Sequence, residues 1–169
     1  MKSMLIVQIV FSIFVTSLAQ SDNHFNSART APNFKLENLD REIIELNNYL
    51  GDGPVLICFW SSCCKSAVSQ LEAFSPFYIK YKEKGFTMFG IATDDERTVA
   101  KVKPYIKSKK FEFPVLYDTN REVARIYYAF DIPFSVLINK SGEIVCSHRG
   151  YMKGDEFELK NKIIELLDK

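Results

Sequence analysis

Past the N-terminal segment, the longest unbroken apolar run is Val55-Leu56-Ile57-Cys58-Phe59-Trp60. A strand with one wet face would alternate with polar residues, so this run predicts a central strand buried on both faces. Residues 65–83 then place Val68, Leu71, Phe74, Phe77, Tyr78 and Tyr81 at helical spacing, and Lys84-Gly85 supplies a stop. Residues 86–92 read as a strand, 98–108 as a helix and 113–117 as a strand, a β-α-β-α-β order. Upstream, the short alternating runs FKLEN and REIIEL flank Leu39-Asp40 and predict a hairpin across 34–46. Downstream come a short helix at 121–128, then strands at 134–138 and 144–148 joined by Lys140-Ser141-Gly142-Glu143, and a closing helix at 156–167. This order predicts an α/β fold: a central mixed β-sheet flanked by helices, with an N-terminal β-hairpin.

Composition fits one domain, at 169 residues with 47% hydrophobic and 14% aromatic positions. Charge is balanced, 22 basic against 21 acidic residues, so no basic field exists to draw the protein onto nucleic acid or anionic lipid. The first residues differ from the rest. Lys2 precedes the apolar run from Met4 to Val15, and Ser17-Leu18-Ala19 places small residues at both positions a signal peptidase reads. Residues 1–19 are therefore expected to be a signal peptide cleaved after Ala19, 20–31 a flexible lead and 32–169 the folded domain. Cleavage would remove one charged residue, Lys2, and bring the formal charge from +1 to zero. A membrane link would require this segment to stay uncleaved, but the run is shorter than the roughly 20 residues a spanning helix needs and is broken by Gln8 and Ser12. No cysteine follows the cleavage site to carry a lipid. Export, to the periplasm or cell envelope of a bacterium or otherwise by secretion, places the protein where disulfides persist. Its four cysteines then read as redox chemistry or as a structural bridge.

The chemistry concentrates where the central strand runs into the first long helix, at Phe59-Trp60-Ser61-Ser62-Cys63-Cys64-Lys65. A thiol at a helix N-terminus faces unpaired N–H groups and the positive end of the helix dipole, both of which favour thiolate. Lys65 adds a nearby positive charge. Here the chain resembles the TlpA/ResA group of exported thioredoxin-like thiol-disulfide oxidoreductases. The resemblance lies in APNFKLENLD, PVLICFW, LEAF followed by KYKEKG, FPVLYDTNREVARIYYAFDIP and VLINKSGEIVCSHRGY, in that order and spacing. It implies a thioredoxin-like fold, thiol-disulfide exchange with protein or small-molecule thiols and disulfides as partners, and no cofactor.

The group's site is a tryptophan followed by Cys-x-x-Cys. A gap-free match anchored at Phe59-Trp60 and Lys84-Gly85 sets the first cysteine on Cys64, the second on Ala67 and the tryptophan on Cys63. A Cys-x-x-Ala site can attack a disulfide but has no neighbouring thiol to release the mixed disulfide it forms. The resolver would be an external thiol or another cysteine. Cys58 stands where related proteins carry an acidic residue behind the active site, and its plainer reading is a small core residue. A vicinal disulfide between Cys63 and Cys64 would be strained, which makes Cys63 a partly exposed second thiol. By the same resemblance Pro133 is cis and faces the nucleophile, and the Ile132 backbone pairs with an extended substrate segment. Trp60 either shields the thiolate on the substrate side or supports the strand end from the core.

Two other classes compete. Val55-Leu56-Ile57 with Ser61-Ser62-Cys63 is also similar to the glutathione peroxidase site, which would make Cys63 the attacking residue of an antioxidant thiol peroxidase. A non-catalytic binding module would keep the groove beside Pro133 without turnover. Cys146-Ser147-His148 together with Cys63-Cys64 matches no zinc spacing, so no metal is expected, and His24 stands apart from His148. Asp94-Asp95-Glu96 reads as a solvated loop and the acidic first turn of the next helix.

Overall fold

The structure is a computed structural model that describes residues 29–168. Among these residues one sheet is built from β1 (Arg29–Thr30), β2 (Lys35–Asn38), β3 (Ile43–Glu45), β4 (Val55–Trp60), β5 (Thr87–Ala92), β6 (Val115–Tyr117), β7 (Phe134–Ile138) and β8 (Glu143–Arg149). Its helices are α1 (Lys65–Tyr81), α2 (Val102–Lys109), α3 (Glu122–Ile126) and α4 (Asp155–Leu167). The strands lie in the order β1-β8-β7-β4-β5-β6-β2-β3. This is the expected mixed sheet with its N-terminal hairpin and flanking helices.

Every residue of β4 is buried, because both edges are paired and both faces are covered. It runs parallel to β5, with Val55 opposite Thr87 and Trp60 opposite Ala92, and antiparallel to β7, with Phe59 opposite Phe134. Side chains alternate across a strand, so Leu56, Cys58 and Trp60 enter one core and Val55, Ile57 and Phe59 the other. The first core is closed by α1, α2 and α4 through Leu71, Phe74, Val102, Ile106, Leu159 and Ile163. The second is closed by α3, by a 3-10 turn at Leu46–Tyr49 and by Ala31 and Phe34.

The hairpin β2–β3 pairs Lys35 with Glu45 and Glu37 with Ile43. Its turn is held by the Asn38 side-chain oxygen, which accepts from the Asp40 and Glu42 N–H groups at 2.8 and 2.9 Å. It joins the main sheet through β2, which runs antiparallel to β6.

The lead expected across 20–31 is corrected at its end. Arg29 and Thr30 pair with Ile144 and Glu143 of β8, the Ala31 N–H donates to the Gly142 carbonyl at 2.8 Å, and Ala31 is buried. The edge of β8 offers backbone groups that a polar segment satisfies as well as an apolar one, so composition did not mark it. The signal-peptide assignment and the rest of the lead lie outside the described residues.

After α1 the chain makes a short 3-10 turn, Lys82–Lys84, and stops at Gly85, which takes φ +90° and donates its N–H to the Lys82 carbonyl at 3.1 Å. A Cβ there would run into the Asp52 carbonyl oxygen as well as the left-handed backbone. Gly85→Ala is expected to destabilise the fold by about 1–3 kcal/mol, read as a lower urea midpoint with an unchanged m-value.

Candidate active site

The chain leaves β4 at Trp60 and enters α1 at Lys65, so residues 61–64 form the turn at the C-terminal edge of the parallel pair β4–β5. Cys64 is the N-cap residue of α1, with extended backbone at φ −100° and ψ 104°. Its N–H donates to the Ser61 carbonyl at 3.0 Å, and its carbonyl accepts the Val68 N–H at 3.0 Å, the first bond of the helix ladder. Its side chain caps none of the first-turn N–H groups. Instead the Cys64 sulfur lies 3.4 Å from the Ser66 hydroxyl and 3.8 Å from the Ile132 carbonyl oxygen.

That second contact crosses from the helix to the loop before β7. The Ile132–Pro133 peptide is cis, and the loop is tied behind by the Gly150 N–H, which donates to the Pro133 carbonyl at 2.8 Å. The Gly150 carbonyl in turn receives a long contact, 3.5 Å, from the amide nitrogen of Gln70 on α1. One glycine beyond β8 therefore joins the proline loop to the helix that carries Cys64. Gln70 is wholly buried, and its side-chain oxygen has no hydrogen-bond partner among the described residues.

Of the residues marked by sequence, the structure brings Cys64 against Ile132, the residue before Pro133. Cys63 is exposed, its N–H donates to the Ser61 hydroxyl at 3.3 Å and its sulfur is 3.9 Å from the Ser62 hydroxyl. Cys58 lies within β4, opposite Gly90 and Ser135, and is wholly buried in the helix-side core that also contains Ala67. Burial pushes its thiol far above the ordinary range. All four cysteines are free thiols. Cys146 points toward α4, and burial pushes its thiol up as well.

Trp60 requires a correction as a substrate-facing residue. It has no exposed surface, packs against Tyr105 with ring centroids 6.0 Å apart and is enclosed in the core beneath α1 and α2. The alternation of β4 turns it into the sheet's helix-covered face rather than toward the Pro133 loop. Its role is structural.

Asp94 is a second correction. Expected on a solvated loop, it is 1% exposed and accepts two bonds from Ser62. The Ser62 N–H reaches one carboxylate oxygen at 2.9 Å and the Ser62 hydroxyl binds the other. Asp95, next in the chain, does behave as a turn residue and accepts from the Arg97 and Thr98 N–H groups at 3.0 and 3.2 Å. In the sequence, Asp94-Asp95-Glu96-Arg97 looks uniformly polar. The available signal was position, since residues just past the carboxyl ends of parallel strands line the functional crevice of α/β sheets.

Comparison with known proteins identifies the fold and the family. The AhpC/TSA family profile matches residues 28–147. A ResA thiol-disulfide oxidoreductase of Bacillus thuringiensis is 33% identical over 130 residues, covering 77% of this chain and 73% of that protein. Among solved structures, one assigned to the thiol:disulfide interchange protein DsbE of Chlorobium tepidum superimposes with TM-score 0.76 at 24% identity, covering 84% of this chain and 98% of that one. A thioredoxin-like protein of Porphyromonas gingivalis gives TM-score 0.68 at 27% identity over 85% of this chain and 95% of its own. The fold is thus thioredoxin-like, and the chain belongs to the AhpC/TSA family, among its ResA-like thiol-disulfide oxidoreductases.

Proposed function

We propose that the protein is exported and carries out thiol-disulfide exchange through Cys64 as its single attacking thiol. The observation that carries this reading is the placement of the Cys64 sulfur at the start of α1, 3.8 Å from the Ile132 carbonyl in the loop before β7, with Ala67 buried one turn further on. In the exchange, the Cys64 thiolate attacks one sulfur of a disulfide, a new S–S bond forms to that sulfur and the old one breaks. The second sulfur leaves as thiolate and takes a proton. An external thiolate then attacks the substrate sulfur of the mixed disulfide, forms a disulfide with it and releases Cys64 as a thiolate that takes up the external thiol's proton. Cys58 is a poor resolver, because a buried thiol with its ionisation suppressed presents little thiolate.

Ile132 is read as the backbone partner of an extended substrate segment beside Pro133. Exposed Phe130 and Met152, two residues from Ile132 and from Gly150, favour a polypeptide substrate over a small disulfide. The name of the ResA relative supports the reaction class. Export is supported by the charge, apolar run and small residues of 1–19. Among the described residues no helix is long and apolar enough to cross a membrane.

Native alkylation with iodoacetamide followed by peptide mapping should modify Cys63 and Cys64 well before Cys146, and leave Cys58 unmodified until the protein unfolds. Labelling of Cys58 at the rate of Cys64 would contradict the buried placement. With glutathione disulfide, the adduct should form on Cys64, persist in Cys63→Ser and disappear in Cys64→Ser. An adduct surviving in Cys64→Ser on Cys63 would favour the peroxidase-like register.

The missing second thiol can be restored. Side chains at (i, i+3) on a helix are neighbours, within the reach of a disulfide. Pre-reduced Ala67→Cys, with no other thiol present, should reduce one equivalent of a protein disulfide and release it, ending with a bond between residues 64 and 67. The native chain should stop as a covalent adduct. Release by the native chain that is lost in Cys58→Ser would instead identify Cys58 as the resolver.

A further inference from the structure

The turn that carries Cys63 and Cys64 is held by two kinds of bond. Its shape comes from within, from the Cys64 N–H on the Ser61 carbonyl and the Cys63 N–H on the Ser61 hydroxyl. Its position relative to the sheet comes from the exit of β5. Thr93 donates its N–H and its hydroxyl to the Trp60 carbonyl at 2.8 and 3.1 Å. Asp94, the next residue, engages both carboxylate oxygens with Ser62. Two successive residues past β5 thus grip the last residue of β4 and a residue of the turn that follows it.

A carboxylate 1% exposed is costly unless hydrogen bonds replace the water it has lost. Charge-assisted bonds are the strong ones, and here both converge on a single loop residue. The Ser62 hydroxyl donates a hydrogen bond to Asp94, which leaves its oxygen to accept from the Cys63 thiol 3.9 Å away. Cys64 follows directly, with its sulfur 3.8 Å from the Ile132 carbonyl. A shift of the turn by an ångström would remove the attacking sulfur from the loop that seats substrate.

We propose that Asp94 is a positioning residue for the exchange reaction, acting through Ser62 to fix the Cys63-Cys64 turn against the proline loop. The proposal rests on the reading of Cys64 as the attacking thiol. Asp94 itself touches no substrate. Its effect is geometric, and misplacement of a reacting group by about 1 Å can slow a reaction by up to about a hundredfold.

The test is the rate at which the reduced protein forms its Cys64 adduct with glutathione disulfide, followed by mass spectrometry. Ser62→Ala and Asp94→Asn should each slow it about tenfold. The double variant should be no slower than either single one, since the two groups act as a unit. Ser62→Thr keeps the hydroxyl and should restore the rate, and in urea all variants should react alike. A native rate in Ser62→Ala, or losses that multiply in the double variant, would overturn the proposal. If buried Asp94→Asn does not fold, Ser62→Ala with its Thr rescue decides alone. Cys64→Ser separates the two levels. If the adduct survives there, the choice of nucleophile fails and the positioning claim with it. If Cys64→Ser abolishes the adduct while Ser62→Ala reacts at the native rate, only the positioning claim fails.

Discussion

The backbone of β4 is paired along both edges, with β5 in parallel and β7 in antiparallel register, and its side chains fill two separate cores. A strand held in this way cannot slide, because a one-residue slip would exchange the side chains of the two cores. Its last residue therefore fixes where α1 begins, and the N-cap of α1 is Cys64. The same register sets Phe59 opposite Phe134, which brings the loop containing Ile132 and Pro133 alongside the turn. The separation between thiol and proline loop is a property of strand pairing before it is a property of either loop.

Much of this was legible in the residues. Six apolar positions without alternation, from Val55 to Trp60, admit few arrangements other than a strand covered on both faces. The spacing of Leu71, Phe74 and Tyr81 points to one helix face, and these side chains do line the helix-side core. Asp94 was legible only through its position just past β5, since a carboxylate bonded to a serine 32 positions away otherwise looks in sequence like any acidic loop residue. Trp60 was legible only in part. An aromatic residue at a strand end can face either way, and only the phase of β4 against α1 and α2 decides it. The pairing of Arg29 and Thr30 with β8 left no trace because backbone bonds do not depend on side-chain type.

Ala67 is buried and in contact with the same core that contains Cys58. Alanine on this face completes the packing of α1 against β4 without placing a polar or ionisable atom behind the nucleophile. Cys58, in the neighbouring strand, likewise presents a thiol that burial keeps protonated. Neither Ala67 nor Cys58 thus places a charge behind Cys64, and the buried carboxylate described beside the turn approaches through Ser62 from the β5 side.

Gly150 joins the proline loop to the helix of the nucleophile, with φ +81° and no atom within 4 Å of where a Cβ would stand. The surrounding space would admit a side chain, but the handedness of the backbone disfavours an L-residue. Variation at this joint is therefore limited by chirality rather than by volume. Asparagine, the residue most at ease in left-handed backbone after glycine, is the replacement that this joint tolerates best.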